Sequence, residues 1–169
     1  MKYIKEIRYF GFILPLIIIA LVAGKSYPQS NDFEKALEKA KKDDKKIIVD
    51  VYTTWCGWCV KMDKDVYGNK EIKELIKDNF VFVKLDAEGT NKIKYNGREY
   101  TETDLAVYFE ATGYPTTVFL EPDGKVIEYK YDKVVMKNLP GYFKSGDFLK
   151  MLEYINEEYY KNTDLSKIL

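Results

Sequence analysis

Apolar and polar positions alternate along this chain in a way that predicts a definite order of elements. Phe33, Ala36, Leu37 and Ala40 recur at helical spacing behind Asn31-x-x-Glu34, which has the form of a capping box. That helix ends in the solvated run Lys41 to Lys46. Ile47 to Tyr52 is nearly continuous in apolar residues, as suits a central strand covered on both faces. A second helix begins around Cys56 and runs past Met62 and Val66. Asn69 can cap a third, with Ile72, Leu75 and Ile76 on one side. Phe80 to Leu85 reads as a second strand, and Ile93 to Tyr100 alternates around Asn96-Gly97, a short hairpin signal. Thr101 or Thr103 can cap a helix carrying Leu105, Ala106 and Phe109. Thr116 to Leu120 and Val126 to Tyr131 are expected as strands joined through the turn Pro122-Asp123-Gly124. Ser145 opens a last helix with Phe148, Leu152, Ile155 and Tyr159 on one side, and the tail after Asn162 is expected to fray. Strand–helix–strand order predicts an α/β fold: a parallel pair with helices on both faces, and a late hairpin adding antiparallel strands at one edge.

The first thirty residues stand apart. Lys2, Lys5, Arg8 and Lys25 against Glu6 give them a net charge of +3, leaving −3 for the remainder. A short basic segment is followed by Phe10 to Gly24, fifteen uncharged and largely apolar residues, then by small and polar ones. That order is the layout of a secretory signal peptide. The run is shorter than the roughly 20 residues that a comfortable membrane span requires. Residues 1–26 are therefore expected to be a cleaved signal or a membrane anchor, and 27–169 a single domain that is exported, periplasmic or secreted.

Composition narrows the chemistry. The chain has 169 residues, two Cys and no His, which excludes a Ser-His-Asp triad, a Cys-His pair and imidazole metal ligation. Two Cys cannot make a four-ligand zinc site within one chain or a scaffold of several disulfides. Basic and acidic residues balance at 27 each, so no overall positive field collects nucleic acid. The fifteen Tyr, among them Tyr129, Tyr131, Tyr142, Tyr154, Tyr159 and Tyr160, read as edge and half-buried packing.

Both Cys lie in Trp55-Cys56-Gly57-Trp58-Cys59, after the first strand and at the start of a helix. A helix N-terminus offers free N–H groups and the positive end of the dipole, which stabilise a thiolate. Two Cys one turn apart can close into a disulfide. Cys56 is expected to be exposed and nucleophilic, and Cys59, one turn deeper, to resolve a mixed disulfide. Asp50, within the apolar strand, should have a raised pKa through desolvation. Plainer roles fit the same residues: an inert structural disulfide, zinc shared between two chains, a solvent-facing Asp50, a snorkelling Lys84, a trans Pro115, and Trp55 and Trp58 as packing.

From about Phe33 to Tyr160 the sequence resembles the thioredoxin superfamily. The resemblance rests on Trp55-Cys56-Gly57-x-Cys59, Asp50 six residues before Cys56, Lys84 in the next strand, and Gly113-Tyr114-Pro115-Thr116. It implies a thioredoxin fold, with a central mixed sheet of about four to five strands flanked by helices. The hairpin near Asn96 is then an insertion between Asp86 and the next helix. It also implies that Asp50 relays a proton for Cys59, that Lys84 sits near that acid, and that Pro115 is a cis-proline facing the Cys pair. Trp55, Gly57, Trp58, Tyr114 and Pro115 would meet substrate, the backbone of Tyr114 pairing with an extended segment beside Cys56.

Trp58 stands where typical thioredoxins have Pro and where isomerases and strong oxidants often have His. That departure favours reduction over oxidation. Trp-Cys-Gly-Trp-Cys followed by Val60-Lys61-Met62 is similar to exported or membrane-associated bacterial thioredoxin-like proteins. No good candidate for the family's usual first strand precedes Phe33. The expected function is thiol–disulfide exchange, as a reductase of protein or peptide disulfides, with no metal or organic cofactor. Its partners would be those substrates and a thiol electron donor such as a membrane thiol–disulfide carrier, with no nucleic acid. Membrane contact would come only through an uncleaved N-terminal segment. The alternatives are a disulfide oxidase or isomerase, and a redox-controlled binding module or holdase.

Overall fold

The structure is a computed structural model that describes residues 33–169. The expected signal segment and the Asn31 cap lie outside the described residues. In chain order the elements are α1 (Phe33–Asp43), β1 (Lys46–Tyr52), α2 (Gly57–Asp65), α3 (Lys70–Asn79), β2 (Phe80–Asp86), β3 (Lys92–Tyr95), β4 (Arg98–Thr101), α4 (Glu102–Tyr108), β5 (Thr116–Leu120), β6 (Tyr129–Tyr131), β7 (Val134–Met136), β8 (Leu139–Pro140) and α5 (Ser145–Asn156).

The main sheet has four strands in the order β2-β1-β5-β8. β1 runs parallel to β2 and antiparallel to β5, and β8 pairs antiparallel with β5. Alternation along β1 divides the core. Ile47, Val49 and Val51 pack with Phe33, Ala36 and Ala40 of α1 and with Leu105 and Ala106 of α4. Ile48 faces the other way, among Met62 of α2, Ile72 of α3 and Phe148, Met151 and Leu152 of α5. Both faces are covered, so the strand reads as one apolar run rather than an alternating one. Asp50 shares the parity of Ile48, which turns it to the side of α2.

The caps agree with the sequence pattern. Asn69 accepts from the backbone N–H groups of Glu71 and Ile72, and Thr101 from that of Asp104. Asn96 and Gly97 both adopt positive φ, 49° and 75°, which is the geometry of a tight hairpin turn between β3 and β4. Burial of Tyr95 and its hydroxyl's 2.6 Å bond to the Gly124 carbonyl tie this hairpin to the body.

Three expectations change. The strand expected over Val126–Tyr131 is split. Val126 makes a lone bridge to Leu120, then the chain leaves the sheet and Tyr129–Tyr131 pairs with β7 in a separate two-stranded sheet. The cause is the turn at Asp132 and Lys133, both at positive φ, whose N–H groups donate to the two carboxylate oxygens of Asp164. The main sheet's outer strand is therefore β8. Tyr159 does not continue the apolar side of α5: Glu158 takes a left-handed conformation after the helix ends, and Tyr159 sits exposed in a short 3-10 turn. The tail after Asn162 does not fray. Leu165 is fully buried in the α5-side core, and the Tyr154 hydroxyl donates to the Thr163 carbonyl at 2.7 Å.

A buried tail has a measurable weight. Leu165→Ala is expected to lower the unfolding free energy by about 2–4 kcal/mol in urea denaturation, through lost burial and the cavity left behind. A loss below about 0.5 kcal/mol, the level of an ordinary surface change, would mean that the tail does not dock.

Candidate active site

β1 delivers the chain to Thr53 and Thr54, and the next helix opens at the Cys pair. Cys56 is the N-cap of α2, with an extended backbone, and its Sγ accepts from the Cys59 N–H at 3.0 Å. The Cys56 carbonyl accepts from the N–H groups of Cys59 and Val60. A sulfur that caps a helix faces free N–H donors and the positive end of the dipole, a setting that stabilises a thiolate. In this structure Cys56 and Cys59 are joined as a disulfide, with Cα atoms 5.3 Å apart.

Cys56 is 4% exposed, against the expectation of an open nucleophile. Its side chain folds back over the helix end to make the cap and the disulfide. The exposed residues are its neighbours, Trp55 at 68% and Trp58 at 59%. The Trp55 Nε1–H donates to both carboxylate oxygens of Glu88, at 3.0 and 2.9 Å, and its ring meets Tyr114 edge-on. Trp58 tilts against Tyr142, with centroids 5.4 Å apart, and Lys61 lies over the same Tyr142 ring. Gly57 is the exposed first residue of α2, with open space where a Cβ would stand. The Tyr114–Pro115 bond is cis, Pro115 is buried, and its carbonyl accepts from the Gly141 N–H at 2.8 Å. The Tyr114 and Tyr142 contacts thus bring the loop before β5 and the loop after β8, which lie at the same end of this antiparallel pair, to the rim of the Cys motif.

On the α2 side of the sheet, Asp50 is paired in register with Lys84 of β2 and Thr117 of β5. Asp50 is buried, and the Lys84 ammonium lies 3.1 Å from its Oδ2. The Tyr67 hydroxyl stands 3.5 Å from Oδ1. Lys84 also donates to both oxygens of Asp63 on α2, at 2.7 Å each, and sits over the Tyr52 ring. Desolvation pushes the Asp50 carboxyl up to about 6, with Lys84 holding it back. Burial pulls the Lys84 ammonium down, but Asp50 and Asp63 outweigh this and leave it above the ordinary lysine value. Burial also drives the Tyr67 hydroxyl well above the usual tyrosine range, so it is a neutral donor.

A family model described as Thioredox_DsbH, "Protein of unknown function, DUF255", matches residues 30–167. The chain belongs to this family. The disulfide bond reductase DsbH of Chlamydia pneumoniae is 29% identical over 98 residues, covering 57% of this chain and 58% of that protein. Spermatogenesis-associated protein 20 of Rattus norvegicus is 32% identical over 93 residues, or 53% of this chain and 11% of that one. The chain thus spans less than two thirds of either relative. Among solved structures, a thioredoxin-fold protein from Helicobacter pylori superposes with a TM-score of 0.57 at 26% identity, over 74% of this chain and 80% of that one. The mixed sheet with helices on both faces is the thioredoxin fold, as in the Helicobacter pylori protein, and the β3–β4 hairpin lies between β2 and α4.

The structure brings Asp50 and Lys84 together, and sets Trp55, Gly57, Trp58 and Tyr114 around the Cys pair. Sequence reasoning missed Asp63, Glu88 and Tyr142. Asp63 had a signal: it lies four residues after Cys59, on the same side of α2. Tyr142 is half-buried packing, as its residue type suggested, and the partner that the sequence did not reveal is Trp58. Among the described residues no cluster of three or more Cys, Asp or Glu is arranged to hold a metal ion.

The raised Asp50 carboxyl has a stability consequence. Its folded pKa lies above the unfolded one, so its contribution is fully present at acid pH, below about 4, and is lost as pH rises through about 6. Asp50→Asn is therefore expected to gain about 3 kcal/mol relative to the parent between pH 4 and pH 7.5 in urea unfolding. A difference that does not change with pH would show that Asp50 is not desolvated.

Proposed function

We propose that this chain is a thiol–disulfide oxidoreductase that reduces protein disulfides outside the cytoplasm. The observation that carries the reading is the Cys56–Cys59 pair at the N-terminus of α2, on the side of the sheet that holds the buried Asp50. The Cys56 thiolate attacks one sulfur of a substrate disulfide, forming a mixed disulfide and releasing the other sulfur as a thiolate that takes up a proton. Asp50 accepts the proton of the Cys59 thiol. The Cys59 thiolate then displaces the second substrate sulfur, leaving the Cys56–Cys59 disulfide and two substrate thiols. Two electrons have passed to the substrate, and a thiol donor must return them.

The direction rests on the tuning groups. The chain has no His to stabilise the thiolate further, and Trp58 occupies that place in the motif. The Chlamydia pneumoniae relative is named a disulfide bond reductase, which supports the same direction. Trp55, Gly57, Trp58, Tyr114 and the cis Pro115 form the surface on which an extended substrate segment docks. Residues 1–26 act as an export signal or anchor. Among the described residues no helix is long and apolar enough to cross a membrane.

Reduction of insulin with a thiol donor tests the activity. Cys56→Ser is expected to fall to the uncatalysed rate, and Cys59→Ser to accumulate the mixed disulfide. Full effect of Cys56→Ser on its partners would instead make the exposed rim a binding module. Residues 1–30 fused to a reporter are expected to carry it out of the cytoplasm, and retention of the reporter inside would contradict the assigned location.

A further inference from the structure

One ammonium, Lys84, faces two carboxylates. Its shorter contacts go to Asp63, at 2.7 Å to both oxygens, and its longer one to Asp50, at 3.1 Å. The two acids sit in different media. The Asp63 side chain is 39% exposed and that of Asp50 is 2% exposed. A single positive charge can balance a single negative one. Water supports the charge on Asp63, and the apolar interior does not support one on Asp50. The remaining polar groups at Asp50 are neutral: the Tyr67 hydroxyl, which follows α2, and Thr117 of β5, whose hydroxyl stands 3.5 Å from that of Tyr67.

We propose that Asp63 is a positioning residue for the redox reaction: by holding Lys84 with both carboxylate oxygens, it keeps the ammonium from fully neutralising Asp50 and leaves Asp50 as the acid that binds the transferable proton. This rests on the reading above, in which Asp50 takes the proton of the Cys59 thiol. Without Asp63, Lys84 would belong to Asp50 alone. The buried carboxylate would then be a satisfied ion and a poorer proton acceptor. The raised titration of Asp50 and the added repulsion that Asp63 exerts on it agree with this arrangement.

The test is the titration of the Asp50 carboxyl in the oxidised full chain, followed by NMR of carbon-labelled aspartate. Asp63→Asn is expected to lower the Asp50 midpoint by about 1 pH unit, because the released ammonium turns to Asp50. Asp63→Glu is expected to restore the parent midpoint. In a Lys84→Met background, Asp63→Asn is expected to give a clearly smaller fall, the part that direct repulsion between the two carboxylates supplies. An unchanged midpoint in Asp63→Asn overturns the proposal, as does a fall of equal size without Lys84. Should Lys84→Met fail to fold, Lys84→Gln, which keeps a polar side chain of similar length without the charge, takes its place. The titration needs no substrate. A chain that failed to reduce insulin would overturn the proposed function, whereas an unchanged Asp50 midpoint in an active chain would overturn only the role of Asp63.

Discussion

The carboxyl group of Asp50, held out of water and opposite Lys84, is the constraint around which the rest of this site is arranged. A buried ionisable group costs several kcal/mol unless charge and hydrogen bonds answer it. The answer comes from the register of the sheet: parallel pairing puts Lys84 of β2 beside Asp50, and antiparallel pairing puts Thr117 of β5 on its other side. Strand alternation turns all three to the face covered by α2, α3 and α5. A shift of one residue in β1 would send Asp50 into the α1 face and Val49 or Val51 toward α2. The same strand ends just before the loop that leads into Cys56. The position of the acid and that of the Cys pair are thus fixed together.

Much of this was legible in the sequence because it depends on short-range spacing. The Cys pair follows an apolar strand and opens a helix, Asn69 and Thr101 cap as their residue types predict, and Asn96-Gly97 turns a hairpin. Asp50 was recognisable as a charge within an apolar run. What escaped depends on tertiary placement. Glu88 finds Trp55 only once the loop after β2 folds back, and Tyr142 finds Trp58 only once β8 has docked on β5. The break after Val126 arises because a carboxylate some thirty residues later, Asp164, captures the β6–β7 turn. Local apolar patterning carries no trace of that capture.

The site separates two tasks. The end of α2 stabilises sulfur charge through the N–H groups and dipole at Cys56, and the sheet supplies a carboxyl poised near neutral pH. Exposed aromatic rings lie around the buried sulfurs. Apolar area at Trp55 and Trp58 is thus open to solvent while the disulfide itself is shielded, which fits the proposed docking of a substrate segment there.

The proposed reductase direction supposes that this pair gives electrons, with no imidazole to make it a strong oxidant. Its reduction potential measures that directly. Equilibration in redox buffers, followed by the fluorescence of Trp55 and Trp58, is expected to give a value near thioredoxin's, about −270 mV. A value near about −120 mV, that of a strong disulfide oxidant, would contradict the account.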